Sequence, residues 1–489
     1  MAASPDAAPQ AEYWLARLAA DGGQPFEAYD RLRAYFAGSS DDAGGGYGLG
    51  DGLGAEPYEL LAVVLTAVND RASLTADLRR LAGRGRPHAV AAYAEALEQQ
   101  GDGEQAEQLM RGLLSQASGK GPVSTGLADT QSTTSGIRLD GAELELDGAQ
   151  IDDALGLRVA AWLTRRLTAE RRLADLSLLL PSIAAATSDY EELSPLIAEA
   201  AEDKRQATRF AQRLAGWSLQ GRSAEELACG AWAAGAAGLP AEATRLHRAA
   251  VLADLKLDRE QAARRCLSWA GDLLADDRYR RAAEAIAWGQ QQELWPAGDA
   301  TPFFYLATSL SLAGEHDRAL EAARAAAQRE PDSAGTATRV AWVLYNADRL
   351  DDAVTVYRQV VEDFDEDPDA GAKDALRDAR LTLSFIASDR GDAAAAAERL
   401  LQVLDEFPAD ANAQNDLAYL WAVRGERPRR CLRLAQAAVD AEPDNDAYLD
   451  TLAWAQHKLG NHAEALATID RALEIAQGQG AEPDGEVLD

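Results

Sequence analysis

The chain has 489 residues, too many for one ordinary globular core, so its length predicts several domains or one extended repeat array. Acidic residues outnumber basic ones by 80 to 48, and the formal charge of -32 speaks against binding nucleic acid or an anionic membrane through a basic surface. Such acidity predicts a soluble, self-repelling surface of the kind that screening relaxes in a salt-rich cell, or alternatively one that meets a cationic partner. Cys229, Cys266 and Cys431 lie far apart without metal-ligand spacing, so neither a disulfide framework nor a zinc site is expected. Each reads as the filler of a small packing slot. The first residues, "MAASPDAAPQAEYW", lack a basic region followed by an apolar one, and no run approaches the roughly eighteen apolar residues of a membrane span. A cytoplasmic location is expected, or export if a leader is missing from this sequence.

In chain order, "YWLARLAADGGQPFEAYDRLRAYF" is a first, loose pair of helical runs. The glycine-rich stretch 37–57 follows and reads as a loop. Its "GYGLGDG" superficially matches a dinucleotide-binding run, but neither flank looks like a strand, so a flexible loop is the reading. "VAAYAEALEQQGDGEQAEQLMRGLL" shows the pattern better, with Tyr93 and Ala94 on one helix, Gly101 at its end and Ala106 on the next. Residues 115–150 are polar and poor in large apolar side chains, which predicts a linker between an N-terminal helical subdomain, 1–114, and the rest. Within that linker "LDGAELELDGAQI" carries Asp-Gly pairs suited to a small β-hairpin.

Between 151 and 299 the helical pattern is divergent. "LACGAWAAGAAGLPAEATRLHRAA" places Ala231, Gly238, Ala243 and Ala250 in it, and "CLSWAGDLLADDRYRRAAEAIAWG" places Trp269, Ala270 and Ala282. From 300 to 476 the pattern is clear, with Phe303, Leu306, Ala307, Gly314, Ala319, Ala326 and Pro331 in the first unit and Val340, Ala341, Ala353, Tyr357 and Val360 in the second. Leu383, Ser384, Gly391, Ala396, Leu400 and Pro408 mark the third, and Leu417, Ala418, Gly425, Ala438 and Pro443 the fourth. In the fifth, numbered from Asp446, Leu449, Leu452 and Ala453 stand at positions 4, 7 and 8, Gly460 at 15, and Ala465, Ile469 and Ala472 at 20, 24 and 27. Each unit is thus a pair of amphipathic helices whose apolar faces find cover only against neighbouring units. The interval from Ala319 to Ala353 is 34 residues and that from Gly425 to Gly460 is 35, whereas 43 separate Ala353 from Ala396, a nine-residue insertion around "DEDPDAGAK". Residues 477–489 are too polar to cover Ile469 and Leu473, so the last hairpin either tolerates exposure or is covered by another subunit or domain, self-association through this uncapped repeat being one expectation.

These units resemble tetratricopeptide repeats, whose pattern has Leu at 7, small residues at 8, 20 and 27 and Pro at 32; the tandem running from "NDLAYLWAVRG" into "AYLDTLAWAQHKLGNHAEAL" is especially similar to bacterial examples. Gln456 at 11, Gln477 at 32 and Cys431 in a small-residue slot depart from it. The resemblance implies an all-α fold, a right-handed α–α superhelix of helical hairpins, with positions 2, 5, 9, 12 and 13 of each first helix lining a concave groove. Position 9 is aromatic in four consecutive units, namely Trp342, Phe385, Tyr419 and Trp454. Flanking Thr338, Tyr345, Asn346, Asn415, Asp450, His457 and Lys458 supply polar contacts. Such rings either anchor an extended peptide or partner helix, or pack on one another between first helices. The basic residues and asparagines of a co-chaperone carboxylate clamp are not in place.

Catalysis has no warrant in the sequence. "DFDEDPD", residues 363–369, spaces aspartates like a calcium loop, but Pro368 and Asp374 stand where glycine and glutamate belong, so a solvated acidic turn is expected. His88, His247, His316, His457 and His462 are scattered, and the last two lack the glutamate of a zincin. The expected function is a non-enzymatic scaffold that binds a protein or peptide, without cofactor, metal, nucleic acid or membrane insertion. The alternative is a helper or assembly subunit, or fragment, of a larger complex that docks an enzyme carried on another chain.

Overall fold

Runs of alanine, leucine and charged residues with a turn residue at a fixed offset become antiparallel helical hairpins in the computed structural model, which describes residues 7–38, 60, 64, 71–83, 85–117, 137–139, 142–144, 146 and 151–478. Most of the glycine-rich stretch 37–57, including "GYGLGDG", lies outside the described residues, as do 118–136 of the expected linker and all of the tail beyond 478. The chain divides into two compact units, Met1–Asp258 and Arg259–Asp489. Among the described residues no helix is long and apolar enough to cross a membrane.

The first unit comprises α1 (Ala7–Asp21), α2 (Pro25–Gly38), α3 (Arg71–Ala82), α4 (Pro87–Gln99), α5 (Gly103–Ala117), a strand pair, and α6 (Asp153–Ala169) to α7 (Leu173–Ala186), α8 (Ser194–Ala201), α9 (Lys204–Ala215), α10 (Ala224–Ala236) and α11 (Pro240–Leu255). The strand pair is the small hairpin expected in "LDGAELELDGAQI": β1 (Ile137–Leu139) runs antiparallel to β2 (Ala142–Leu144), with Ile137 opposite Leu144 and Leu139 opposite Ala142. Ile137 is buried against α5 at Gly112, where a β-carbon would come within 2.7 Å of its side chain. β1 is therefore docked on the helices before it, with Ile137 at Gly112 and Leu139 near Gly83.

The helices on either side of residues 115–150 are also tied together by charge. Arg158 of α6 grips Glu95 of α4 with two bonds of 2.9 and 2.7 Å. Glu107 of α5 accepts hydrogen bonds from Arg111 (2.9 Å), Arg166 (3.1 Å) and Arg172 (3.0 and 3.1 Å). Burial pushes this carboxyl up, and the three guanidinium groups outweigh that push, so its pKa lies below the ordinary 4.5. Where the polarity of 115–150 suggests a boundary, the structure has one continuous core reaching from α1 to α11, and the division between compact units comes at 258/259.

The second unit is a regular series. It pairs α12 (Arg259–Ala275) with α13 (Tyr279–Gln291), α14 (Thr301–Leu312) with α15 (His316–Arg329), and α16 (Ala334–Asn346) with α17 (Leu350–Phe364). It continues with α18 (Ala370–Asp389) and α19 (Ala393–Glu406), α20 (Ala411–Arg424) and α21 (Pro428–Ala441), and α22 (Asp446–Lys458) and α23 (His462–Gly478). The residue at position 15 has positive φ throughout: Gly314, Gly391, Gly425 and Gly460 where glycine is present, and Asp277 and Asp348, both at 57°, where it is not. The small residues at 8 and 20 let backbones approach. Ser384 donates to the Ala396 carbonyl at 3.0 Å and Cys431 to the Ala418 carbonyl at 3.1 Å, so this cysteine fills the packing slot assigned to it.

All three cysteines are buried free thiols, and burial pushes Cys266 up to about 12 and Cys431 up to about 11. The insertion lengthens the helix that follows it: residues 365–369 form a turn, and α18, beginning at Ala370, is 20 residues long, against 14 for α20. The aspartates before it act as caps and partners. Asp369 accepts from the Gly371 and Ala372 amides, Asp367 from the Asp369 amide, and Asp365 pairs with the buried Arg380. On α23 Leu466 is exposed and Ile469 and Leu473 are half-buried.

Candidate interaction surface

Packing in the second unit identifies its inner layer. Each hairpin rests on the next, and in addition first helices touch in three successive pairs, α14 with α16, α16 with α18, and α20 with α22, but not to that extent between α18 and α20, while successive second helices do so far less throughout. A stack whose first helices crowd together and whose second helices splay apart curves with the first helices inside. Residues on the free face of α14, α16 and α18, and of α20 and α22, therefore look to the inner side of their own group of hairpins.

Four rings at position 9 share that placement but not the same exposure. Phe385 and Tyr419 are 60% and 46% exposed. Trp342 and Trp454 are half-buried under cations: the Arg339 guanidinium lies 4.7 Å from the Trp342 ring centre, and Lys458 Nζ lies 4.5 Å from that of Trp454. His457, one turn on, stacks on Trp454 with centroids 5.6 Å apart, and its Nδ1 is 3.2 Å from that of His462. Among the described residues no two of the position-9 rings form an aromatic pair with one another. Tyr345, at position 12, meets Phe385 edge-on at 6.4 Å and so bridges consecutive units.

The polar candidates serve partly as internal ties. Asn346 donates to Ser311 Oγ of the preceding unit at 3.2 Å. Asn415 is buried, donates to Asp416 at 3.2 Å, and leaves Oδ1 without a protein partner. Asp450 is half-buried, and His457 and Lys458 are exposed.

Three further apolar groups on these helices escaped the sequence reading, namely Tyr305, Leu312 and Val423, which are 38%, 42% and 52% exposed. Leu312 and Val423 occupy position 13, four residues beyond position 9 and hence on the same helical face, so the repeat numbering held the signal. Arg339 was also missed. It lies between the rings of Phe304, at 4.1 Å, and Trp342, and burial lowers its pKa. Its Nε is buried without a hydrogen-bond acceptor. The inner face thus presents isolated flat apolar groups in a frame of cations and amides, an arrangement that can hold an extended or helical segment by ring contact and orient it by hydrogen bonds. Among the described residues no three His, Cys, Asp or Glu side chains gather where a metal ion could be held.

Residues 310–375 match the family model of the tetratricopeptide repeat. No curated protein matches the chain. Solved structures similar to it include MamA (residue 41 to the end) from Desulfovibrio magneticus, 20% identical over 37% of this chain and 96% of that one, with a TM-score of 0.30. YrrB, described as a TPR protein with an unusual peptide-binding site, is 18% identical over 42% and 96%, with a TM-score of 0.32. A tetratricopeptide repeat protein from Parabacteroides merdae is 15% identical over 46% and 83%, with a TM-score of 0.35.

Proposed function

We propose that this chain, a tetratricopeptide repeat protein, is a non-enzymatic scaffold that binds a peptide or helical segment of a partner protein against the inner face of its second unit. The observation that carries this reading is the exposure of Phe385 and Tyr419 on consecutive first helices whose other faces are fully occupied by packing. Neither ring is needed to bury the core, and each offers a large rigid surface at small entropic cost. Trp342 and Trp454, with their covering Arg339 and Lys458, would flank the segment, and Tyr345, Asn346, Asn415, Asp450 and His457 would fix its polar groups.

The reading is tested by affinity capture with the intact chain and with Trp342, Phe385, Tyr419 and Trp454 replaced by alanine. Loss of the captured partners with an unchanged helical circular-dichroism spectrum is expected. Partner recovery equal to that of the intact chain would remove the inner face from consideration.

A further inference from the structure

A second site lies in the first unit, and its chemistry is opposite to that of the chain as a whole. Helix α9, "KRQATRFAQRLA", carries Lys204, Arg205, Arg209 and Arg213 and no carboxylate, in a protein of net charge -32. Its Phe210 and Leu214 are fully buried and Gln206 nearly so, which fixes the helix on its apolar side and leaves the arginines outward. Arg209 and Arg213 then line a cavity of about 370 Å³ with Gln206 and Gln212 of α9, Ala174 and Asp175 of α7, and Arg171 and Arg172 of the turn before α7.

Within this cavity the charges do not cancel. Asp175 is taken up by Arg172 at 2.9 Å, and Arg172 is shared with Glu107 and Glu170. Among the described residues Arg171, Arg209 and Arg213 have no carboxylate within ion-pair distance, which leaves three unpaired guanidinium groups from two elements facing one space. Arg171 is held with φ at 57°, at a turn position that other hairpins fill with glycine, such as Gly101 and Gly238. A left-handed non-glycine residue is a conformational cost that the fold tolerates here, with an arginine side chain as its product.

We propose that this cavity binds an acidic peptide segment of a partner protein, through glutamate or aspartate side chains set in an extended strand. Two observations select that ligand. Arg209 and Arg213 are four residues apart on a helix, so their attachment points are separated by about 6 Å along its axis. Alternate side chains of an extended peptide repeat every ~6.6 Å, so two carboxylates on one face meet the two arginines in register, and each guanidinium can grip its carboxylate through two N–H groups. Arg205 continues the row by one further turn. The second observation is the small extent of the positive patch: the arginines surround about 370 Å³, room for a few carboxylates, whereas the continuous phosphate backbone of a nucleic acid would run on over the negatively charged surface of the chain. This site belongs to the other compact unit and does not depend on the aromatic face proposed above.

The test uses the whole chain and a fluorescein-labelled peptide of alternating Glu and Gly, about twelve residues long, followed by fluorescence anisotropy at low and high salt. Saturable binding that weakens with salt is expected, together with about a tenfold loss of affinity for Arg209→Glu combined with Arg213→Glu. Arg171→Gly separates binding from folding: it should raise the melting temperature, because glycine suits the left-handed turn, and yet weaken the peptide. No saturable binding, or affinities that these substitutions leave unchanged, would overturn the proposal. Tighter binding of inorganic pyrophosphate would reassign the cavity to a small oxyanion, and tighter binding of an oligothymidylate to nucleic acid; either overturns it as well.

Discussion

The two units are built from the same element, the helical hairpin, and use it in contrasting ways. In the first, leucines, alanines and buried charges form one continuous core from α1 to α11, with Glu107 clamped by three arginines that come from positions up to 65 residues away. In the second, the core is broken into a series of clusters, each belonging to neighbouring hairpins. A core assembled unit by unit needs only the small and apolar positions that face a neighbour. It thereby leaves the inner face free to vary, and there the chain carries Phe385, Tyr419, Val423 and Leu312 in the open.

The largest expected effect on this contrast comes from truncating core leucines. Leu163 in the first unit and Leu400 in the second are both fully buried, and each Leu→Ala change should cost about 3 kcal/mol. Their reach should differ. Native-state hydrogen exchange is expected to show lost protection throughout the first unit for Leu163→Ala, and only in α18 to α22 for Leu400→Ala. A uniform loss across the second unit would break the distinction.

Next in size is the Glu107 clamp. Glu107→Gln keeps the shape but leaves Arg166 and Arg172 without their shared charge, at a cost of about 2 kcal/mol at neutral pH. Because the folded carboxyl titrates below its ordinary 4.5, its stabilisation is complete above that value and is lost as pH falls through the folded pKa. The stability difference between the intact protein and the glutamine variant, measured by urea unfolding, should therefore be flat from neutral pH to about 5 and shrink below. A difference that stays constant on acidification would mean that Glu107 is not held by charge.

A smaller change sharpens the regularity of the second unit. Asp348 takes the left-handed turn that Gly314, Gly391, Gly425 and Gly460 take in their hairpins. Asp348→Gly should stabilise the unit by about 0.5–1 kcal/mol, read as a higher melting temperature. A fall would show that the aspartate side chain is needed at that turn.

Much of this arrangement was legible in the sequence where a single residue type decides the outcome. Glycines at position 15 stop helices, Ala353 and Ala396 mark close contacts, and the Asp-Gly pairs in "LDGAELELDGAQI" announced the pairing of β1 with β2. The nine-residue insertion was visible as a broken interval, but not that it would lengthen α18, because an acidic turn and an acidic helix start share a composition. The Glu107 cluster was invisible, since no local pattern brings Arg166 and Arg172 to a helix some sixty residues earlier. At the candidate surface, repeat position gave the face on which Trp342 and Trp454 lie. Their covering by Arg339 and Lys458 comes from the same helix, three residues before Trp342 and four after Trp454, and the spacing that brings such pairs together was in the sequence; Phe385 and Tyr419 have Thr382, Asp389, Asp416 and Val423 at those offsets and stay open.

The central claim is that a partner segment lies along the inner face of the second unit, and site-specific photocrosslinking in cells tests it most directly. A photoreactive phenylalanine analogue replaces Phe385 or Tyr419 in turn and, for comparison, the exposed Arg358 of α17 or Arg433 of α21 on the second helices. Crosslinks to the same partner segment from 385 and 419, and none from 358 or 433, are the predicted result. Crosslinks from the second helices alone, or from all four positions equally, would contradict it.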